Sequence, residues 1–410
     1  MKNTLIERLV RYTKIDTRSD GSTGLVPSTK KQFELAKMLY EECIDIGLDK
    51  VKIDEYGIVT ALLPSNTDKD VRTIGFIAHM DTADYNSENV SPRVIENYDG
   101  KDIVLNAEHN IITDVKTFPN LKDLEGGTLV VTDGLTLLGA DDKAGIAEIM
   151  TAMEFLLDNK DIEHGDIRIA FTIDEEIGTG ADAFDVEGFD ADFAYTVDGT
   201  ELGGLEYETF NAAETVVTLK GISVHPGSAK DTMINANVLV NEYFSQLPSD
   251  ERAETTEGYE GFYLLTDTIS TIEDAKLTFI LRDHDMAKFN ARKEMMNTIA
   301  DKMNEKYAYQ AVTVETKDSY YNMRNIIEED MSIVELAKDA MKASDVEPII
   351  SAVRGGTDGS RLSYMGLPTP NLFTGAQFLH GRHELAHVES MMKACEVIIN
   401  IAHLNTQGEL

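Results

Sequence analysis

Apolar and polar positions along the first two hundred residues alternate between two periods. The short apolar runs "VRTIGFIAH" (71–79), "IRIAFTID" (167–174) and "FAYTVD" (193–198) have the length and residue types of buried strands. Between the first two, Ala144, Ile146, Ala147, Ile149 and Met150 recur at helical spacing and predict a helix over 142–158. Strands alternating with helices predict an α/β domain whose largely parallel sheet carries helices on its faces. From about residue 208 the texture changes. "AETVVTLKG", a helix near 232–247, "GFYLLTDTIS", "AKLTFILRD", a helix near 286–306 and "YQAVTVETK" follow in the order β-α-β-β-α-β, that of a ferredoxin-like split βαβ unit. After about 321 the α/β texture returns, with a helix near 329–343, short runs near 349–353 and 368–373, and a last helix near 388–403. The expected fold is an α/β domain formed by 1–207 and 321–410, with a mostly parallel mixed sheet, interrupted by an inserted ferredoxin-like domain over 208–320. Residues 84–127 are polar with few clear periodicities and read as an elaborated loop near the strand ends.

A chain of 410 residues is long for one core, which agrees with two domains. Its charge narrows the partners. With 37 basic and 73 acidic residues the net charge is −36, which argues against DNA, RNA or an anionic membrane as a partner. No apolar run approaches the length of a membrane span. The N-terminal pattern of Leu5, Ile6, Leu9 and Val10 is that of an amphipathic helix and not of a signal peptide, so the expected location is the cytoplasm. Cys43 and Cys395 lie in helix-like apolar patterns and read as core thiols, with nothing to suggest a disulfide framework.

The candidate chemistry sits where apolar runs end. In "LLGADDKAGIAEIM" (137–150), Asp141 and Asp142 stand side by side at a junction between an extended run and a helix. One aspartate suffices to cap a helix, whereas two neighbouring carboxylates repel unless a cation neutralises them. The strand ends add His79-Met80-Asp81, Asp174-Glu175-Glu176 and Asp198. Singly, His79-x-Asp81 and Asp198 read equally as turns. Three acids directly after a buried strand are electrostatically costly and suggest one carboxylate as ligand and its neighbour as general base, against an exposed loop. Together, several acids and a histidine at consecutive segment ends fit a two-metal hydrolase, in which one carboxylate bridges the ions. Asp141 suits the bridge, with Asp142 supporting or capping. "HELAH" (383–387) matches the H-E-x-x-H signature of single-zinc proteases, but that motif requires a continuous helix. Here the helical pattern begins only at about Val388, so His380 in "FLHGRHE" is the better ligand candidate. The loop "RGGTDGSRL" (354–362) is either an anion-binding loop or a flexible turn. His225 and Arg282 end strands of the insert. Arg282 has Asp283 and Asp285 as possible ion-pair partners.

These motifs, with "IAHMDTA", "TIDEEIGTGA", "YTVDGTELGGLEYETFNAA" and "SVHPGSAKD", resemble those of the co-catalytic zinc peptidase and deacylase family, which includes glutamate carboxypeptidases and acetylornithine deacetylase. The resemblance covers nearly the whole chain. It implies two Zn2+ ions bridged by Asp141, with His79 and Asp198 completing the protein ligands of one, and Glu176 and His380 those of the other. Asp81 would support His79, and Glu175 would be the general base. His225, Arg282 and Arg354 resemble substrate-contacting positions, on or beside an inserted domain that closes over a small peptide. The implied activity is release of the N-terminal residue from tripeptides. N-acyl amino-acid deacylation on the same two-metal site is the alternative, and an inert binding module the third reading.

Overall fold

The computed structural model describes residues 1–408. The chain divides into two compact units, one of Met1–Tyr207, Met323–Ser351 and Thr357–Leu410, the other of Glu208–Asn322 and Ala352–Gly356. Residues 352–356, which include the first three of the glycine-rich stretch, thus cluster with the second unit rather than with the flanking sequence.

The main sheet contains β1 (Asp49–Ile53), β2 (Val59–Leu63), β3 (Ile74–His79), β4 (Ile167–Thr172), β5 (Phe193–Gly199), β6 (Gly204–Glu208), β11 (Ile349–Ala352) and β12 (Asn371–Phe373). Their spatial order is β1-β2-β4-β3-β5-β12-β6-β11. The central strands β4, β3, β5 and β12 run parallel, while β2 against β4 and β6 against β12 are antiparallel. Every residue of β3 is buried, as a central parallel strand requires. The parallel run brings the carboxyl ends of β3, β4 and β5 to one edge, where ligands of α/β sheets gather.

Helix α3 (Ala140–Asp158) packs against β3 and β5, and is itself covered by α1 (Lys2–Thr13) and α8 (Val388–Leu404). Its approach is close. A Cβ on Gly145 would lie 1.9 Å from the Val197 carbonyl oxygen and 2.5 Å from Asp142 Oδ1, so only glycine fits there. The helix begins irregularly: Asp141 and Asp142 have non-helical dihedrals and are joined by a cis peptide bond.

Residues 84–127 do more than form a loop. Arg93–Ile95 pairs with Leu129–Val131, which pairs with Leu385–His387, which pairs in turn with Ala376–Gln377. A hairpin of Ile103–Asn106 and Ile111–Thr113 lies in the same region, over a satellite core of Tyr98, Ile103, Leu121, Leu129 and Leu385. Three-residue strands carry too little periodicity to be read from sequence, because their pairing is decided by tertiary packing.

The second unit has its own four-stranded antiparallel sheet of β7 (Asn211–Lys220), β8 (Phe262–Ser270), β9 (Asp274–Asp283) and β10 (Val312–Tyr320), in the order β8-β9-β7-β10. With α4 (Ala236–Phe244) and α5 (Met286–Tyr307) between strands, this is the ferredoxin-like arrangement, over a core that includes Val217, Leu277, Phe279 and Phe289.

Candidate active site

His79 is the last residue of β3, and its backbone partner across the sheet is Thr172, the last residue of β4. The chain after β4 turns sharply at Asp174 (φ 51°), so that Glu175 and Glu176 face the same edge. That turn is pinned from below. The Asp174 carboxylate accepts from Ser28 N at 2.6 Å and from Gln32 Nε2 at 2.6 Å. Asp198 stands at the end of β5, and Asp141 at the irregular start of α3. His380 (φ 61°) lies in the short connection between the strands Ala376–Gln377 and Leu385–His387. The satellite sheet therefore presents His380 to the strand ends.

Asp141 lies between two imidazoles. Its Oδ1 is 3.0 Å from His79 Nε2, and its Oδ2 is 3.0 Å from His380 Nε2. Each imidazole also faces a second acid: His79 Nε2 is 3.5 Å from Asp198 Oδ1, and His380 Nε2 is 3.2 Å from Glu176 Oε2. Two triads thus share one carboxylate. Around a four-coordinate zinc with N and O ligands at about 2.0–2.2 Å, neighbouring ligand atoms lie roughly 3.3–3.5 Å apart. The measured separations are close to those edges. A further sign of fit is Glu176 Oε1, which is buried without a hydrogen-bond partner. Glu175 Oε2, at 4.0 Å from His79 Nε2, stands just beyond such an edge.

The electrostatics favour a cation in the cluster. Burial opposes a charged His79, yet Asp198 and Asp141 hold its pKa well above the ordinary value. Hydrogen bonds to Asp141 and Glu176 raise His380 to about 11. Burial would raise Asp141, but the hydrogen bonds from His380 and His79 outweigh it and hold the carboxyl below the usual range. Burial pushes Glu175 well up and lifts Asp198 to about 7.

Asp81 has a wider role than support of one histidine. Its backbone carbonyl accepts from His79 Nδ1 at 3.0 Å, while its carboxylate lies 3.4 Å from the same nitrogen. That carboxylate also accepts from the backbone N–H of Glu175 at 2.9 Å and of Glu176 at 3.2 Å. Fully buried, Asp81 ties the end of β3 to the glutamate pair. Asp142 turns the other way from its neighbour. It accepts from Gly145 N and from His79 N, both at 3.2 Å, so it caps the helix and braces β3 together.

The "HELAH" histidines stand apart from the acids. Leu385–His387 is a strand and α8 starts at Val388, so the segment is not one helix. His383 Nδ1 meets Thr113 Oγ1 at 2.9 Å with its ring against Phe118, and His387 Nδ1 meets Ser390 Oγ at 2.8 Å.

Among the predicted substrate contacts, His225 is exposed at the head of a 3₁₀ turn, where its Nδ1 accepts from Gly227 N. Arg282 pairs with neither acid near it in sequence, because Asp283 bonds Arg292 at 2.9 Å and Asp285 caps α5 through Lys288 N. Its Nη1 donates to the Arg354 carbonyl at 3.1 Å, and its Nε is buried without a partner. Arg354 is engaged within the second unit. It donates to the carbonyls of Gly258, Glu260 and Thr256 and to Thr256 Oγ1, over the rings of Phe210 and Phe262.

One acid near the site escaped the sequence reading. Asp358, at the start of α7 (Asp358–Tyr364), is buried and accepts from Thr172 Oγ1 at 2.7 Å. Burial raises it to about 6. A buried acid in "RGGTDGSRL" weighs against an anion-binding role for that loop, and its only sequence signal was its place just after the glycines.

Comparison with known proteins identifies the family. The profile of peptidase family M20/M25/M40 matches residues 130–403. A peptidase T from Fusobacterium nucleatum is 53% identical over 405 residues, covering 99% of this chain and 98% of that one. Among solved structures, an aminopeptidase from Bacillus cereus matches with a TM-score of 0.78 at 22% identity, covering 100% of this chain and 99% of its own. A tripeptidase from Staphylococcus aureus matches with a TM-score of 0.79 at 20% identity, over 100% and 99% of the two chains. The chain belongs to peptidase family M20/M25/M40 and is a peptidase hydrolase.

Proposed function

We propose that the chain is a di-zinc aminopeptidase that releases the N-terminal residue of tripeptides. The observation that carries this reading is the pair of triads sharing Asp141, with His79 and Asp198 on one side and His380 and Glu176 on the other. These five residues would hold the ions. Full-length likeness to a peptidase T supports the substrate class. When bound, two such ions supply a water acidic enough to attack near neutral pH and polarisation of the scissile carbonyl.

The remaining steps belong to the protein's own groups. Glu175, outside the ligand edges but adjacent to them, takes the proton of the attacking water and delivers it to the leaving amine. Asp81 keeps Glu175 in place through its backbone N–H and orients His79 through Nδ1. The ferredoxin-like unit acts as the lid of the expected domain arrangement. His225 is assigned to the oxyanion and Arg282 to the substrate's terminal carboxylate; the Arg282 Nε has no acceptor of its own and Nη1 has only the Arg354 carbonyl. Arg354, whose donors are turned to backbone carbonyls, supports Arg282 and does not itself grip substrate. Two free, buried thiols and a small-peptide substrate fit the cytoplasm.

Elemental analysis of active protein should find two zinc ions per chain, with hydrolysis of tripeptides abolished by chelator and restored by zinc. One metal or none would sink the two-ion reading. Faster turnover of N-acetyl amino acids than of tripeptides would replace the aminopeptidase with a deacylase.

A further inference from the structure

The glutamate of "HELAH" is spent neither on a single zinc nor on the proton transfer, yet it is 1% exposed. Burying a carboxylate so completely is costly unless its oxygens are fully hydrogen-bonded. Glu384 meets that requirement on one segment alone. Its Oε2 accepts from the backbone N–H of Leu138 at 2.8 Å and of Gly139 at 2.7 Å, and its Oε1 accepts from the backbone N–H of Asp141 at 3.0 Å. The segment it grips has no regular structure to hold it. Gly139 is left-handed (φ 77°), and the dihedrals of Asp141 and Asp142 are non-helical. Glu384 is also four residues beyond His380, in the connection between Ala376–Gln377 and Leu385–His387. One connection therefore carries an imidazole that meets Asp141 Oδ2 and a carboxylate that meets Asp141 N.

We infer that Glu384 is a positioning residue that fixes the bridging carboxylate through its backbone, so that both Asp141 oxygens are presented at a set spacing before any ion arrives. This rests on the two-ion reading of the site. A carboxylate has two acceptor oxygens for three converging donors, whereas a glutamine would turn an N–H2 group toward at least one of them. Losing that grip should loosen the bridge more than either terminal triad partner. The affected quantity is then the coupling between the two ions and the affinity for the second, not general foldedness.

The test uses full-length protein loaded with Co2+ in place of zinc. Wild type should bind two ions that are magnetically coupled. Glu384→Gln should keep the first ion near wild-type affinity, bind the second about 10–100-fold more weakly and lose most of the coupling, with kcat falling more than KM rises. A merely structural role would lower thermal stability and weaken both ions alike, leaving their affinity ratio and the coupling unchanged. That result would overturn the assignment. If wild type itself binds fewer than two coupled ions, the two-ion reading is what fails. Should Glu384→Gln not fold, hydrogen exchange on metal-free wild type decides. The Leu138, Gly139 and Asp141 amides are expected to be protected before metal is added, and rapid exchange at all three would refute pre-positioning.

Discussion

The acidic floor of the first unit and the arginine pair of the second are built on opposite terms. At the floor, Asp141, Glu175, Glu176 and Asp198 crowd around His79, and Glu176 Oε1 is buried with no partner. The charge there is in excess and awaits a cation. Around Arg354 the positive charge is already spent, on three carbonyls, a hydroxyl and two aromatic rings. Arg282 beside it retains a buried nitrogen, Nε, without an acceptor. In these two regions the unspent charge belongs to the groups proposed to act on metal or substrate, and the spent charge of Arg354 to scaffolding. A list of charged residues cannot separate the two, because the difference lies in their partners.

The sharpest way to break this contrast lies within the glutamate pair. Glu175→Gln should keep both metals and lose kcat by about a hundredfold or more, whereas Glu176→Gln should lose metal. The reverse pattern in activity and elemental assays would exchange their roles. Next in size is the arginine pair. Amidating the C-terminus of a good tripeptide should lower kcat/KM by about 10–100-fold, the worth of one charge-assisted hydrogen bond, and Arg282→Ala should largely erase the difference between acid and amide. A mutant that still prefers the free acid as strongly as wild type would remove Arg282 from that role. Arg354→Ala should instead be felt mainly as lost stability, about 2–4 kcal/mol in denaturant unfolding, from orphaned carbonyls and lost packing.

The smallest expected effect concerns an acid with neither cation nor hydrogen bond. Glu148 in α3 is fully buried and both of its carboxylate oxygens lack partners. Burial raises its pKa well above 4.5. As pH rises past that ordinary value the unfolded chain releases this proton while the folded chain keeps it, so the residue's contribution to stability falls with pH. Glu148→Met should raise Tm by a few degrees at pH 8 and by less at pH 5, with little change in activity. An equal shift at both pH values would mean that the acid does not titrate as described.

Much of the site was legible because each member of the floor follows directly on an apolar run. His79 and Asp198 stand at the ends of strands, Glu175 and Glu176 in the turn just after one, and Asp141 at the opening of a helix. The ferredoxin-like insert was legible for a similar reason, since strands of nine or ten residues and a helix of 22 carry clear periods. What stayed hidden depends on contacts between distant segments. The strands Arg93–Ile95 and Leu129–Val131 exist by pairing. The two arginines could be told apart only by hydrogen bonds reaching from Arg354 to residues 94 to 98 positions away. Asp81 was placed beside His79, but nothing local in "IAHMDTA" shows that its oxygens reach the backbone of Glu175 and Glu176.

That last contact changes what transplanting this centre into another scaffold would require. A graft of the five side chains proposed to hold the ions would reproduce that list and omit the acceptor on which the glutamate turn hangs. Asp81 joins two strands that are neighbours in space but separated by 87 residues between His79 and Ile167. It also hydrogen-bonds only to main chain in holding that turn, so the recipient needs the same loop path and not merely the same residues. The smallest portable piece around Asp81 is therefore a pair of adjacent parallel strands with their outgoing loops, which carries His79, Glu175 and Glu176 but leaves Asp141, Asp198 and His380 to other elements.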